Sequence, residues 1–534
     1  MNQLNLVKQM YLYRLLYVLS ALVFGCLLVL SAHHLHEANM ANTKSWENIY
    51  LSYKDRYDYN RFTGESQISS FFDSFIKNKV DASPSIKYTQ TVPVLLYHRI
   101  SDTKDPYNVT PANFKAQMFA LKKEGYNTIS IYDYKDFLQG KKKLPAKSFL
   151  LTFDDGTKDS FYPVQPILKA LDFRATMFVI TRYSILDPNG SHYYLSSIEL
   201  KQMLKSGVWD IQPHTRKGHT YYQISPTNFK GTYYANKLWL KSQNRYETDQ
   251  EYANRVYGDL AQSKSDIENL THKPVVAFAF PFGEVGEDNQ SNYANAYKTI
   301  TDDVHKLFST AMLQTYGGRG QSQNFYNSDS IYSYRVEADA NWPKNPIQLI
   351  NYFNLGAAKV LPFSDDLSSD KGWLTGNGQV VVRDKMLTIN SIPRTDGASA
   401  ILDGTTNWTD YEVTANAKLI SGTSFDLTAR NQGSADRIGC DFSENYIAIE
   451  RQVGDQTKTV LDDNYVLPIR NNFESVGIKV EGHNIQCLVN GKVMVNMIDA
   501  DMPKSGGPGF TVWDPTIKSI AQFTDIKVTP IIKS

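Results

Sequence analysis

Between Val92 and Gly283 short apolar runs alternate with amphipathic stretches, and that alternation predicts β-then-α units. VPVLLYH (92–98), TISI (128–131), SFLLTF (148–153), ATMFVI (175–180), VWDIQ (208–212) and VVAFAFPFG (275–283) have the apolar and β-branched content of strands. Between them lie helical segments. Pro111 to Glu124 places Phe114, Met118 and Leu121 at helical spacing, DYKDFLQG ends in Gly140, and Pro163–Leu171 and Ile198–Ser206 follow. Thr248 to Leu270 opens on Thr248-Asp249-Gln250-Glu251, which resembles a capping box. Repeated units of this kind imply parallel strands with helices outside, hence an α/β barrel or a doubly wound sheet. Chemistry in a barrel sits where strands end and loops begin.

The pattern changes near Pro362. Beyond it, strands and turns alternate with almost no helical periodicity, most clearly in VGIKV-EGHN-IQCLV-NG-KVMV (476–495), which reads as two hairpins, the second on an Asn-Gly turn. GFTVW (509–513) and FTDIKVTP (523–530) supply closing strands of a β-sandwich. At the other end, Leu15–Ala32 is an 18-residue run without a charge, preceded by Lys8 and Arg14 and with no Lys or Arg after it until Lys44. That is the length of a transmembrane helix, and the positive-inside rule puts the bulk of the chain outside the cell. A cleaved signal ending at Leu30-Ser31-Ala32, with secretion, is the rival. The expected organisation is a cytoplasmic tip and anchor (1–36), an extracellular stem (37–91), an α/β domain (92–360) and a sandwich (361–534).

Composition adds exclusions. With 56 Lys and Arg against 55 Asp and Glu, a net charge of +1 gives no reason to propose nucleic acid or an anionic surface as partner. Among the three cysteines there is no CxxC pair, which excludes thiolate zinc ribbons and thioredoxin-like motifs. Cys26 lies in the apolar run; Cys440 and Cys487 are either two buried thiols or a disulfide, the latter suiting an extracellular chain. The 34 tyrosines suit a surface that meets sugar rings.

The candidate chemistry falls at strand ends. Asp154 and Asp155 close a buried strand before Gly156, and adjacent side chains there point to opposite sides. One can ligate a metal while the other takes a proton from water, although Asp-Asp-Gly also suits a helix cap or turn. His214 and His219, five residues apart, would lie about 140° apart on a helix, so a loop containing Gly218 is the better carrier for two converging imidazoles. Two solvated loop histidines are the plain alternative. One Asp and two His would leave a coordination position open for water.

Thr152-Phe153-Asp154-Asp155-Gly156, His214-Thr215 with His219, and Phe278-Ala279-Phe280-Pro281-Phe282-Gly283 resemble the NodB-homology polysaccharide deacetylases, carbohydrate esterase family four, over about 92–355. Leu96-Tyr97-His98 and the wide His-Thr-x-x-x-His spacing are similar to the branch that deacetylates poly-N-acetylglucosamine in biofilm exopolysaccharide systems. The resemblance implies a distorted (β/α) barrel and hydrolysis of N-acetyl groups on an N-acetylglucosamine polymer, with peptidoglycan, chitin or xylan as other substrates of the same site. It implies Asp155, His214 and His219 as ligands of a divalent ion, Zn²⁺ first, with Ni²⁺, Co²⁺ or Fe²⁺ as alternatives. Asp154 becomes the general base, His98 the general acid, and the Phe282 backbone N–H an oxyanion donor. Phe282 would also touch substrate. The family pattern is broken at Ala279, where many members have Arg, and at Pro213, where a small polar residue is usual. Arg335 is a candidate to orient Asp154 instead, and Asp339 and Trp342 to stand in for a further motif. The sandwich resembles concanavalin-like, glycan-binding domains, with Trp373, Trp408 and Trp513 as candidate sugar platforms or core residues. A non-catalytic glycan-binding surface protein is the reading from another class. Exopolysaccharide-synthesis proteins are the class of protein partner that the resemblance brings into view.

Overall fold

A computed structural model of the protein describes residues 51–61, 88–187, 192–286, 291–315 and, with short interruptions, 323–338 and 346–531. The run Leu15–Ala32, most of the expected stem, Asp339 and Trp342 lie outside the described residues. Among the described residues, no helix is long and apolar enough to cross a membrane.

Seven parallel strands carry the first unit: β1 (Thr91–Tyr97), β2 (Ser148–Phe153), β3 (Ala175–Ile180), β4 (Trp209–Thr215), β5 (Ala277–Ala279), β6 (Thr310–Thr315) and β7 (Tyr332–Glu337). They are hydrogen-bonded in the order β5-β6-β7-β1-β2-β3-β4, so each strand lies beside its sequence neighbours and β7 returns to β1. The result is a barrel-like sheet, nearly closed. Its seam lies between β4 and β5, where side chains replace a main-chain ladder. Gln212 Oε1 accepts from both Val276 N and Ala277 N at 2.9 Å.

Helices α1 (Pro111–Lys123), α2 (Ile131–Leu138), α3 (Gln165–Leu171), α4 (Ser197–Lys205), α5 (Asp249–Thr271) and α6 (Ala296–Leu307) lie in the crossovers from β1 as far as β6. Strand alternation sorts the core into two layers. Val92, Val94, Leu150, Phe178, Ala279 and Met312 pack together with Tyr134 and Phe137 of α2. Leu95, Tyr97, Leu151, Phe153 and Met177 pack with the surrounding helices. Caps define the helix starts: α5 begins at a capping box in which Thr248 and Glu251 satisfy each other's backbone N–H groups, and α4 begins at one made by Ser196 and Glu199.

Three details differ from the sequence reading, the first being that VVAFAFPFG is a strand only over Ala277–Ala279, with Pro281–Gly283 in a 3-10 turn. TISI does not form a strand: only Asn127–Thr128 pairs, and Ile131 starts α2 because Ser130 caps it, accepting from Asp133 N. The strand expected to stop at Gln212 continues to Thr215. Its pairing with β3 jumps from Val179–Pro213 to Ile180–Thr215, leaving His214 as the extra residue of a bulge. Pro213 has no N–H to give a ladder, which makes this the natural place for pairing to slip.

Among the described residues from Phe363 on, every strand pairing is antiparallel, in two sheets that share one apolar core. One sheet includes Tyr411–Ser421, Glu474–Glu481, Asn484–Val489, Lys492–Ile498 and Ile520–Pro530; the other includes Ala398–Leu402, Ser424–Asn431, Asp436–Ser443, Ile447–Val453 and Gly507–Val512. The Asn-Gly turn is present, with Asn490 (φ 49°) and Gly491 (φ 75°) both left-handed as a two-residue hairpin of this type requires. Cys440 and Cys487 form a disulfide that ties one sheet to the other.

Candidate metal centre and active site

β2 delivers Asp154 and Asp155 to the C-terminal rim of the barrel. Asp155 has φ 70° and Gly156 φ 72°, an abrupt reversal that separates the two neighbouring carboxylates. A β-carbon at Gly156 would lie 2.9 Å from Val179 Cγ1 while holding a left-handed backbone, so glycine is required there. Asp154 turns into the barrel and meets Arg335 of β7, whose Nη1 and Nη2 donate to Oδ1 and Oδ2 at 2.7 Å each. Both side chains are fully buried, and Arg335 Nε also donates to Leu313 O. Burial alone would push the Asp154 carboxyl up, but the Arg335 guanidinium and then His214 hold it below the usual carboxylate range.

Asp155 turns the other way. Its Oδ1 lies 3.1 Å from His219 Nε2 and 3.6 Å from His214 Nε2, and the three candidate ligand atoms lie within 4.8 Å of one another. His214 Nδ1 donates to Ala279 O at 2.8 Å, which fixes the tautomer and leaves Nε2 to the site. Burial depresses the His214 imidazole to about 4, so it is neutral as a ligand must be. Asp155 Oδ1 is buried without a hydrogen-bond partner. An orphaned carboxylate oxygen facing two imidazole nitrogens fits a divalent cation, and these residues would hold one.

The loop between the histidines is built around a carboxylate that the sequence patterns did not single out. Asp259 of α5 accepts from Thr215 Oγ1 (2.8 Å), Arg216 N (3.0 Å), Lys217 N (2.8 Å) and Tyr234 Oη (2.5 Å). Thr215 Oγ1 in turn accepts from Gly218 N at 2.6 Å. A β-carbon at Gly218 would come within 2.6 Å of the Tyr234 ring. His219 is therefore delivered by a turn wrapped on Asp259. Only a three-dimensional contact reveals this, since Asp259 reads as one polar residue in an amphipathic helix.

His98 follows β1, with Nδ1 2.9 Å from Glu337 Oε1. The contact is a charge pair rather than an aligned hydrogen bond, because neither atom has a partner in hydrogen-bond geometry. Glu337 is held from its other oxygen by Gln314 Nε2 at 2.6 Å. Burial disfavours the charged imidazole, but Glu337 and the carboxylates of Asp155 and Asp154 outweigh it and raise His98 to about 9. Arg335 and Glu337 stand two apart on β7, so they face the same side. One strand thus orients both Asp154 and His98.

Phe282 follows Pro281 in a left-handed conformation (φ 63°), and its ring lies between His219 (4.9 Å) and Tyr221 (4.8 Å). Tyr107 lies 6.1 Å from the His98 ring and is half-exposed; Tyr193, also part-exposed, lies under the Arg99 guanidinium at 5.0 Å. These tyrosines give the rim an aromatic lining. The sandwich tryptophans separate by burial. Trp373 packs on Phe510 and donates to Asp365, and Trp408 donates to Lys359 O, so both belong to the core and Trp373 offers no face to a sugar. Trp513 is 51% exposed.

Residues 141–299 match the family of polysaccharide deacetylases. That span includes Asp154, Asp155, His214, His219 and Phe282, but not His98, Arg335 or Glu337. YxkH of Bacillus subtilis (strain 168), whose own assignment as a polysaccharide deacetylase is provisional, is 28% identical over 214 residues, covering 40% of this chain and 64% of that protein. The poly-beta-1,6-N-acetyl-D-glucosamine N-deacetylase of Escherichia coli (strain K12) is 24% identical over 187 residues, 33% of this chain and 28% of that one. The protein of the same name from Staphylococcus aureus (strain MSSA476) is 27% identical over 240 residues, 41% of this chain and 75% of that one. The chain thus spans less than two thirds of the first two relatives.

Proposed function

We propose that this chain, which carries a polysaccharide deacetylase domain of the NodB type, is a metal-dependent N-deacetylase of an extracellular N-acetylglucosamine polymer. The observation that carries the reading is the pairing of two sites on one rim: an Asp155–His214–His219 triangle with an orphaned oxygen, beside an Asp154 carboxylate clamped by Arg335. Asp155, His214 and His219 would hold a divalent ion, Zn²⁺ by the Asp-His-His donor set, which would supply Lewis acidity to the hydrolysis.

The residues of the chain do the rest. Asp154 takes a proton from water as its oxygen bonds to the acetamide carbon. Arg335 keeps Asp154 ionised and fixes its orientation. The Phe282 N–H is the candidate donor to the oxygen that gains charge. His98, protonated at neutral pH, gives its proton to the departing amine as the carbon–nitrogen bond breaks, and Glu337 stabilises that protonated form. Acetate and a free glucosamine unit result.

The names of the E. coli and S. aureus relatives favour a poly-N-acetylglucosamine substrate over peptidoglycan, chitin or xylan. The uncharged run Leu15–Ala32 behind Lys8 and Arg14 supports a membrane-anchored chain with both folded units outside the cell. Acetate release from N-acetylglucosamine oligomers by the metal-loaded protein tests the reading. Asp154→Asn should remove it; full release by that variant would overturn the mechanism, and release only from peptidoglycan fragments would move the substrate.

A further inference from the structure

We propose that the all-β unit carries a separate glycan-binding site on the outer face of one sheet, built from Trp513, Asp441, Asp426, Tyr446 and Ser424. The strand registers bring these residues together. Asp426 pairs with Asp441 on one side and with Thr511 on the other, and Ser424 pairs with Ser443. Side chains alternate along each strand, and Phe425, Leu427, Cys440, Phe442, Phe510 and Val512 take the core side. Ser424, Asp426, Asp441 and Thr511 therefore face outward together. Trp513 extends the same parity by one step past the end of Gly507–Val512.

Two independent observations point to a ligand. Asp441 is nine-tenths buried on this outward face, yet its Oδ1 has no hydrogen-bond partner, while Oδ2 accepts from Tyr446 Oη at 2.9 Å. A carboxylate oxygen in that position lacks a donor, and leaving it unmet is unfavourable. Trp513, the exposed member of the sandwich tryptophans discussed above, lies on the same face, two strands across from Asp441, with half its surface in solvent. Gly439, two residues before Asp441 on the same strand, keeps the floor open: a β-carbon built there would touch nothing closer than 3.7 Å. Burial raises the Asp441 carboxyl to about 6, against the lowering effect of the Ser424 and Tyr446 hydroxyls.

An aromatic face sharing one sheet face with a carboxylate acceptor and hydroxyl side chains matches a chain of pyranoses, each with an apolar C–H face for stacking and a ring of hydroxyl donors. The geometry fits a chain of hexosamine or hexose units. The site would keep the polymer beside the enzyme between reaction events, and in this it rests on the deacetylase reading only for the polymer's identity.

The test uses the full chain with its metal. Retention on poly-N-acetylglucosamine, native or chemically deacetylated, and on peptidoglycan sacculi is measured for Trp513→Ala and Asp441→Asn, alongside acetate release from a soluble trimer. We expect each substitution to weaken retention on at least one glycan fivefold or more, with trimer deacetylation unchanged. The glycan affected identifies the ligand. Retention of both variants within fivefold of the parent on all three glycans overturns the site, as does a parent protein that none of them retains. Trimer deacetylation reports on the barrel site separately, so its failure would count against the deacetylase reading and not against this one.

Discussion

Replacing Arg335 by methionine isolates the buried base. In the native chain the Asp154 carboxylate is almost wholly excluded from water and takes two 2.7 Å hydrogen bonds from the guanidinium. Removing one partner of such a pair leaves an uncompensated buried charge, which costs about 3–5 kcal/mol. His214 Nδ1, 4.0 Å from Asp154 and already committed to Ala279, cannot replace the arginine. The variant can escape part of that cost by protonating Asp154, but a protonated Asp154 is no longer a base.

Stability and activity should therefore fall together, with a defined pH dependence. Because the native carboxyl is held below its ordinary value, its contribution is present above the unfolded-state carboxylate range and is lost as pH falls through the folded value. The stability gap between wild type and Arg335→Met should be widest at neutral pH and narrow in acid, while the acid limb of kcat/KM moves to higher pH. Denaturant unfolding of the barrel at several pH values, with acetate release by metal-loaded protein across the same range, measures both. Arg335→Lys, which keeps a charge but not the bidentate fork, should fall between. A methionine variant within about 1 kcal/mol of wild type at neutral pH, with an unmoved acid limb, would refute the reasoning.

Activity should decline in alkali as His98 loses its proton near 9, and Glu337→Gln should bring that limb down, since burial then opposes the charge with less compensation; an unmoved alkaline limb in kcat against pH would remove His98 as the acid. Asp259→Ala should weaken metal affinity, by competition against a chelator, about 10–100-fold, the range seen when groups supporting a ligand are removed. Asp259→Asn keeps one acceptor oxygen and should lose less, and unchanged affinity in both would show that the turn holds His219 without it. Reducing the Cys440–Cys487 disulfide, whose partners lie 47 residues apart, should destabilise the all-β unit by about 4 kcal/mol while leaving the barrel transition in place. Calorimetry with and without reductant reads the two transitions.

The parts of the site visible in the sequence are those that short-range pattern encodes. Asp154-Asp155-Gly156 ends a strand that is apolar from Phe149 to Leu151, and the His214–His219 spacing asks for a turn, so both could be placed at a rim before any coordinates. Arg335 could be singled out as a candidate, but nothing local distinguishes it: its partner is 181 residues away in the chain. Glu337 and Asp259 were invisible for the same reason. Each is a polar residue in a segment whose periodicity is unremarkable, and its role arises only when strands β1 and β7, or α5 and the histidine loop, are brought side by side. The strand runs past the apolar stretch that ends at Gln212, because Pro213 interrupts the ladder as a bulge and not as a stop.

The seam between β4 and β5 has a further consequence. A hoop fastened all round by main-chain ladders resists widening everywhere, whereas this one is fastened at one joint by two side chains, Gln212 below and His214 above. The upper fastener is also one of the three groups that would hold the ion. A cation pulling His214 toward Asp155 would therefore tension the clasp of the barrel, and its loss would slacken the ring at the seam. Metal loading should then be readable as slower amide exchange at Val276 and Ala277, whose N–H groups make the lower fastening of the seam to Gln212.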